Sequence, residues 1–525
     1  MKRIQPFRHP LLHLLMLAVA LIASACAGSQ PGIEQSTLAA APTSTVAPSP
    51  VATFSPEFSE SPCPPGINSG GSGLVSCGYL TVLEDRLKPD GRTIRIFVAR
   101  IDPYAGAEAP DPMFVPGGDL AWTPISEFIA PMAPRTGRQV IIMDQRGIGR
   151  SDPNLKCPEV EEIRSSLAVP LGDPGMRPAF LDAVAACRDR LVAEGVDLSA
   201  YNLANSAADA EELRLALGIE EWNLITLGSA SRISFEIIRR YPEHIRAVVF
   251  DSPDVPQVDL LSEGIVGTRH ALGELAQVCA GDAACGERFT DLQGTLATEL
   301  ERLEAEPILL HARGFEVMVD GTTMLGVIRS GLSIHDWIPR LPAAIYDLPF
   351  EDDGPVAASI VENLIYSSGY IQPGNDRFYF NHGLFYSVFC HDELPFIDRA
   401  ALTQLAAGEA WYEEAYVDSP YLEVCQRWGV QGDDDSQAGT AVTSDIPTLF
   451  LIGRFNPFSP RPLVEEAAST FTSGYVVEFP NLSHNVLQFD CPQTLRNAWI
   501  DNPDSPPDTA CVDNLPPVRF ATDSD

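Results

Sequence analysis

The stretch Trp222-Asn223-Leu224-Ile225-Thr226-Leu227-Gly228-Ser229-Ala230-Ser231-Arg232 decides the fold. Leu224 to Leu227 make a continuous apolar run, after which Ala230, Ile233, Ile237 and Tyr241 recur at helical spacing. Arg239 and Arg240 sit just before Pro242. Cations suit the negative end of a helix, and proline cannot continue one. A second apolar run, Ala247-Val248-Val249-Phe250, follows at once. Strand, helix and strand in succession predict an α/β fold with a mostly parallel sheet, and unbroken apolar runs suit strands buried on both faces.

The same pattern extends in both directions. Met113-Phe114-Val115 and Val140 to Met143 precede the stretch, and Thr448 to Ile452 and Tyr475 to Phe479 follow it. Between them, Ser206 with Asp209 three residues on reads as a helix cap, with Ala210, Leu213 and Leu217 on one face. From about 255 to 440 the alternation stops, and Leu272, Leu275, Leu292, Leu296, Leu300 and Leu303 fit helices. This segment is expected to be a helical cap inserted between two parts of one sheet, lying over the strand ends where open α/β sheets bind ligands. The expected division is therefore a core from 61 to 254, a cap from 255 to 440, and a closing core segment from 441 to 525.

The 525-residue chain starts with a different kind of sequence. Lys2, Arg3 and Arg8 precede an apolar run from about Leu11 to Ile22, and Ala23-Ser24-Ala25 precedes Cys26. This reads as a secretory signal over residues 1–25, its apolar run short for a membrane span. Ala-Ser-Ala suits ordinary signal peptidase, while Ile22-Ala23-Ser24-Ala25-Cys26 also resembles a bacterial lipobox in which Cys26 becomes lipidated. Residues 26–60 are mostly Ser, Thr, Pro, Ala and Gln from position 29 on, and are expected to form a disordered tether. Lys and Arg number 35 against 71 Asp and Glu, a formal charge of −36. Such an acidic chain is no nucleic-acid binder and is expected to meet a membrane only through the lipid.

Eleven cysteines leave one unpaired in any full set of disulfides. Cys26 is the natural odd one. The other ten fall into neighbouring pairs, Cys63/Cys77, Cys157/Cys187, Cys279/Cys285, Cys390/Cys425 and Cys491/Cys511. An even count in an exported chain implies disulfides. Sequence does not fix their connectivity, and sequential pairing, which closes short loops, is the expectation.

Several longer motifs point to one family. Cys77-Gly78-Tyr79-Leu80-Thr81-Val82, Asp144-Gln145-Arg146-Gly147-Ile148-Gly149-Arg150-Ser151, Trp222-Asn223-Leu224, Arg240-Tyr241-Pro242-Glu243-His244 and Asp508-Thr509-Ala510-Cys511 are the specific pieces. From Cys63 to Phe520 the chain resembles the secreted α/β-hydrolases related to prolyl and tripeptidyl aminopeptidases, including their C-terminal segment. The resemblance implies an α/β-hydrolase fold and a Ser-His-Asp triad, in which serine on a tight strand-to-helix turn attacks a carbonyl. His484, in Glu478-Phe479-Pro480-Asn481-Leu482-Ser483-His484, occupies the histidine position.

The other positions depart from that pattern. On the family's Gly-x-Ser-x-Gly elbow the chain reads Thr226-Leu227-Gly228-Ser229-Ala230, which puts Gly228 at the nucleophile position. Shifting the register to make Ser229 the nucleophile puts bulky Leu227 two residues before it, where the tight turn needs a small side chain. Arg454-Phe455-Asn456-Pro457 has Asn456 where the family has Asp, with Asp251 a conceivable substitute acid. The oxyanion loop is Gly117-Gly118-Asp119-Leu120, whose glycines offer N–H groups while Asp119 brings charge that opposes a developing oxyanion. The family's cap uses acidic residues to hold a substrate's free amine, a role for which Asp392 and Glu393 are candidates. The expected function is a catalytically impaired, envelope-tethered protein binding a peptide or small apolar molecule in the old cleft. The alternative is a serine exopeptidase or esterase that uses Ser229 with His484.

The remaining signals are bland. Arg146 with its flanking glycines reads as a structural loop, since no glycine-rich turn opens a helix there. Glu351-Asp352-Asp353 and Asp433-Asp434-Asp435 lack EF-hand spacing, and His391-Asp392-Glu393 lacks a metal-ligand pattern. No cofactor or metal is expected.

Overall fold

In a computed structural model of the chain, the described residues are 54–65, 67, 74–103, 106–107, 109–117, 135–164, 175–312, 315–348, 380–433 and 436–521. The signal, Cys26 and most of the tether lie outside them. One nine-stranded sheet organises the chain. Its strands are β1 (Glu57–Ser61), β2 (Leu74–Leu83), β3 (Thr93–Asp102), β4 (Met113–Pro116), β5 (Val140–Met143), β6 (Trp222–Leu227) and β7 (Ile245–Asp251). A separate two-stranded sheet pairs β8 (Ile308–Ala312) with β9 (Phe315–Val319), and β10 (Thr448–Gly453) and β11 (Gly474–Phe479) complete the large sheet.

The strand order is β1-β2-β3-β5-β4-β6-β7-β10-β11. The first three pairings are antiparallel and every pairing from β5 to β11 is parallel. All six apolar runs read from the sequence lie in parallel strands, and β4, β5 and β10 are buried at every position. Buried side chains cover both faces: Phe114, Leu224, Val248 and Phe450 on one, Val115, Ile225, Val249 and Leu451 on the other. Covered faces are what a parallel sheet requires.

Two expectations need correction. The tether ends before residue 60, because Glu57–Ser61 pairs with β2 in antiparallel register, Phe58 opposite Leu80. Pairing satisfies its backbone, and Arg100 covers the Phe58 ring at 5.1 Å. Ser206 is not the helix cap. Helix α1 (Leu203–Ala216) starts one turn earlier, with the Asn202 side chain accepting from Asn205 N–H at 2.8 Å, while Ser206 Oγ donates to the Asn202 carbonyl.

Helix α2 (Ser231–Arg240) follows β6 through a single 3₁₀ turn. The segment between β7 and β10 contains α3 (Leu260–Gly281), α4 (Gly321–Ser333) and further helices, together with the β8–β9 hairpin. Helix α5 (Asp490–Asp501) follows β11. Disulfides join Cys63–Cys77, Cys157–Cys187, Cys279–Cys285, Cys390–Cys425 and Cys491–Cys511. Such a set fits an extracellular or secreted protein. Among the described residues no helix is long and apolar enough to cross a membrane.

Candidate functional site

The elbow, Asn456 and His484 all follow the carboxyl ends of parallel strands: β6, β10 and β11 respectively. That is where open α/β sheets place ligands. At the end of β6 the chain turns sharply, and Gly228 adopts φ +51°. An L-residue there is strained, and glycine is not. A Cβ built on Gly228 would lie 3.4 Å from His484 Nε2 and 3.5 Å from Cε1. A side chain at position 228 would therefore face the imidazole at ordinary contact distance. Ser229 sits one residue further along the turn and is only partly buried.

The histidine loop is held from β7. Asp251, at the end of that strand, is fully buried and accepts from Val486 N–H at 2.9 Å and Leu487 N–H at 2.8 Å. Ser252 Oγ donates to Asp251 Oδ1 at 2.9 Å and accepts from Asn485 N–H at 3.2 Å. Burial pushes the Asp251 carboxyl up to about 6 against these donors. Ser252 and Asn485 both adopt positive φ, at 55° and 57°. Asp251 thus anchors the segment immediately after His484 through the backbone.

His484 itself lacks an orienting group. Its Nδ1 is buried without a hydrogen-bond partner. Burial, reinforced by the Arg329 cation, lowers its pKa to about 4. Asn456 is wholly buried, its Oδ1 accepts from Phe458 N–H at 3.0 Å, and its Nδ2 has no partner. The Asn456 acceptor oxygen is spent on its own turn, and Nδ1 receives no carboxylate. Nothing among the described residues fixes one imidazole tautomer, which the triad chemistry demands.

Of the oxyanion-loop glycines, Gly117 donates its N–H to the Met143 carbonyl at 2.7 Å, continuing the β4–β5 ladder. That donor is occupied. Gly118 and Asp119 lie outside the described residues.

The two acidic candidates of the cap are also engaged. Asp392 is buried and accepts from Leu203 N–H at 2.8 Å, at the start of α1, with its other oxygen 2.8 Å from His391 Nδ1. Glu393 pairs with Arg232 of α2 at 2.9 Å. Burial raises its pKa to about 7 although Arg232 favours the anion. These contacts tie the cap to α1 and α2.

Two groups not singled out from the sequence lie nearby. Glu263 in α3 is 1% exposed, and neither carboxylate oxygen has a hydrogen-bond partner. Arg329 in α4 covers the Phe458 ring at 4.4 Å, and Phe458 meets the His484 ring edge-on at 5.1 Å. An acid in a helix's first turn is an ordinary capping signal, so Glu263 gave no warning. The available hint was its flank of Gly264 and Gly267. A Cβ at Gly267 would come within 2.1 Å of the Pro457 carbonyl oxygen, so α3 runs hard against the turn bearing Asn456. Among the described residues no group of three or more His, Cys, Asp or Glu is arranged to hold a metal ion.

A model of the alpha/beta hydrolase fold matches residues 113–277, which include the elbow. Carboxylesterase B of Mycobacterium tuberculosis is 26% identical over 225 residues, 40% of this chain and 42% of that protein. A tripeptidyl aminopeptidase of Streptomyces coelicolor is 26% identical over 202 residues, 35% of this chain and 36% of that protein. The matched part thus spans well under half the length of either relative. Among solved structures, an α/β hydrolase from Novosphingobium aromaticivorans is 13% identical, with a TM-score of 0.36 over 82% of this chain and 99% of that one.

Proposed function

We propose that this chain, whose fold is that of the α/β-hydrolases, is an exported, non-hydrolytic member of the esterase and aminopeptidase-like group and keeps the cleft as a binding site. The observation that carries the reading is Gly228. At φ +51° it stands where a nucleophile would, its missing Cβ 3.4 Å from His484 Nε2, so the imidazole faces a position with no hydroxyl. Asn456 and the unpartnered His484 Nδ1 support it, since a tautomer left unfixed loses about 10⁴ of turnover in a serine-protease triad. The cleft's ligand is a peptide or small molecule of the kind the peptidase and esterase relatives process. Cys26 carries a lipid and residues 27–56 act as the spacer from the membrane, a reading tested by mass spectrometry of the mature N-terminus.

A fluorophosphonate probe tests the catalytic half. The purified protein is expected to stay unlabelled while a serine hydrolase control labels fully. Stoichiometric labelling that vanishes in Ser229→Ala would establish a serine hydrolase and end the non-hydrolytic reading.

A further inference from the structure

The two ring nitrogens of His484 stand in different surroundings. Nδ1 is buried and has no hydrogen-bond partner, whereas Nε2 is not sealed in this way. Nε2 instead faces position 228, 3.4 Å from where a Cβ would stand. Apart from the chain on either side of Gly228, the described residues bring only Nε2 and Cε1 of His484 within 4 Å of that Cβ. The gap is therefore open, and the imidazole borders it.

No hydrogen bond fixes the tautomer, but these surroundings bias it. Asn456 offers Nδ1 no acceptor. Its Oδ1 takes the Phe458 N–H at 3.0 Å, and turning the amide over would set one donor against another. Its Nδ2 can only donate. A proton on Nδ1 would be a buried N–H with nothing to receive it, which is costly, while a proton on Nε2 reaches the gap. Burial and the Arg329 cation keep the ring neutral at pH 7, so it has one proton to place. That proton belongs on Nε2. A Ser-His-Asp triad uses the opposite tautomer, with Nδ1–H held by the acid and Nε2 free to accept.

We infer that His484 is a hydrogen-bond donor rather than a base, and that the gap at Gly228 receives one oxygen of a small carboxylate ligand on its Nε2–H. The inference rests on the non-hydrolytic reading, because a serine hydroxyl at position 228 would fill the gap. The local field favours an anion over a neutral carbonyl. Arg329 lies over the Phe458 ring at 4.4 Å, and Phe458 meets His484 edge-on at 5.1 Å, so one aromatic ring separates the cation from the imidazole. Among the described residues Arg329 is the one charge felt at the ring, with no acidic side chain to offset it. A cation that disfavours imidazolium favours an anion in the same place. The bound carboxylate in turn stabilises imidazolium, so it raises the His484 pKa.

NMR of the purified full chain with ¹⁵N-labelled histidine tests the inference. Long-range ¹H–¹⁵N spectra at pH 7 are expected to show Nε2 protonated and Nδ1 bare. Titration with acetate, propionate and phenylacetate is expected to move the Nε2 and Cε1–H signals of His484 to saturation for at least one of them. That carboxylate is expected to raise the ring's pKa and to bind about ten-fold or more tightly than its primary amide, as a charge-assisted hydrogen bond should. Gly228→Ser is expected to abolish the binding, and Arg329→Met, which keeps an apolar stem over Phe458, to weaken it; thermal melts verify that both variants fold. An Nδ1–H tautomer, no saturable shift with any of the three carboxylates, or equal affinity for carboxylate and amide overturns the inference. The two readings fail separately. A protein that stays unlabelled by fluorophosphonate and ignores carboxylates refutes only this inference, whereas labelling at Ser229 refutes the non-hydrolytic reading beneath it.

Discussion

Two buried charged regions of the molecule contrast sharply. At the loop after β5, Arg146 is fully buried and each of its three guanidinium nitrogens is bonded. Nε and one terminal nitrogen bond both oxygens of Asp209 at 2.8 and 2.7 Å, and the other nitrogen reaches the carbonyls of Glu84 and Ala200 at 2.7 Å each. Arg86 adds a further 2.7 Å bond to Asp209. Burial pushes the Asp209 carboxyl up, yet the two arginines outweigh it and hold the pKa below the usual value. Around the elbow the opposite holds, with Glu263, Arg329 Nε, Asn456 Nδ2 and His484 Nδ1 all lacking partners. A satisfied buried network fixes a fold. An unsatisfied one calls for a specific explanation.

The contrast is easiest to break through stability. Asp209→Asn strands Arg146 and is expected to cost about 3–5 kcal/mol in urea unfolding, as removing one partner of a buried pair does. Glu263→Gln is expected to stabilise increasingly as pH rises above 4.5, because it removes a group whose charging is opposed only in the folded state. A comparable loss at both positions would erase the distinction between the two regions.

The pH dependence sharpens it. Glu263 and Glu393 have raised folded pKa values, the latter about 7, so above pH 4.5 the folded state holds protons the unfolded chain has released. Their contribution is complete below that pH and is lost as pH rises through the folded pKa values. Unfolding of Glu263→Gln measured between pH 5 and 8 is expected to show a flatter decline than the parent. His484 has the opposite sign. Its folded pKa of about 4 lies below 6.5, so stability falls as pH drops from 6.5 toward 4. NMR titration is expected to find the ring neutral above pH 5 and its pKa raised in Arg329→Met.

The smallest effect is at the elbow itself. Gly228→Ala puts a Cβ at positive φ with ordinary van der Waals contact to His484. The expected loss is about 1–2 kcal/mol, from backbone strain alone. A loss above about 3 kcal/mol in thermal or urea unfolding would mean that the room beside His484 is smaller than the structure shows.

The fold was legible where burial is two-sided. Runs such as Val140–Met143 and Leu449–Ile452 are apolar at every position because both faces of β5 and β10 are covered. The antiparallel strands escaped the periodicity reading. β3 mixes exposed Thr93 and Arg95 with buried Ile94 and Ile96, and β1 is mostly exposed at the sheet edge, so its Phe-Ser-Glu composition passed for tether. The β8–β9 hairpin was missed for its length, five residues a side within a helical segment. At the site, Gly228, Asn456 and His484 were readable because each follows a strand end. Asp392 and Glu393 stand out in sequence as an acidic pair, but their partners, Leu203 N–H and Arg232, are some 160 to 190 residues away. Glu263 and Arg329 were silent, since what distinguishes them is the lack of a partner.

The central proposal is that the cleft lacks the nucleophile and the acid of a hydrolase site, at Gly228 and Asn456. Restoring both in Gly228→Ser, Asn456→Asp and following fluorophosphonate labelling by intact mass and peptide mapping tests it most directly. One adduct, mapped to position 228 and absent from the parent and from Asn456→Asp alone, is the predicted result. An adduct on the unmodified protein at Ser229, or a folded double variant that stays unlabelled, would contradict it.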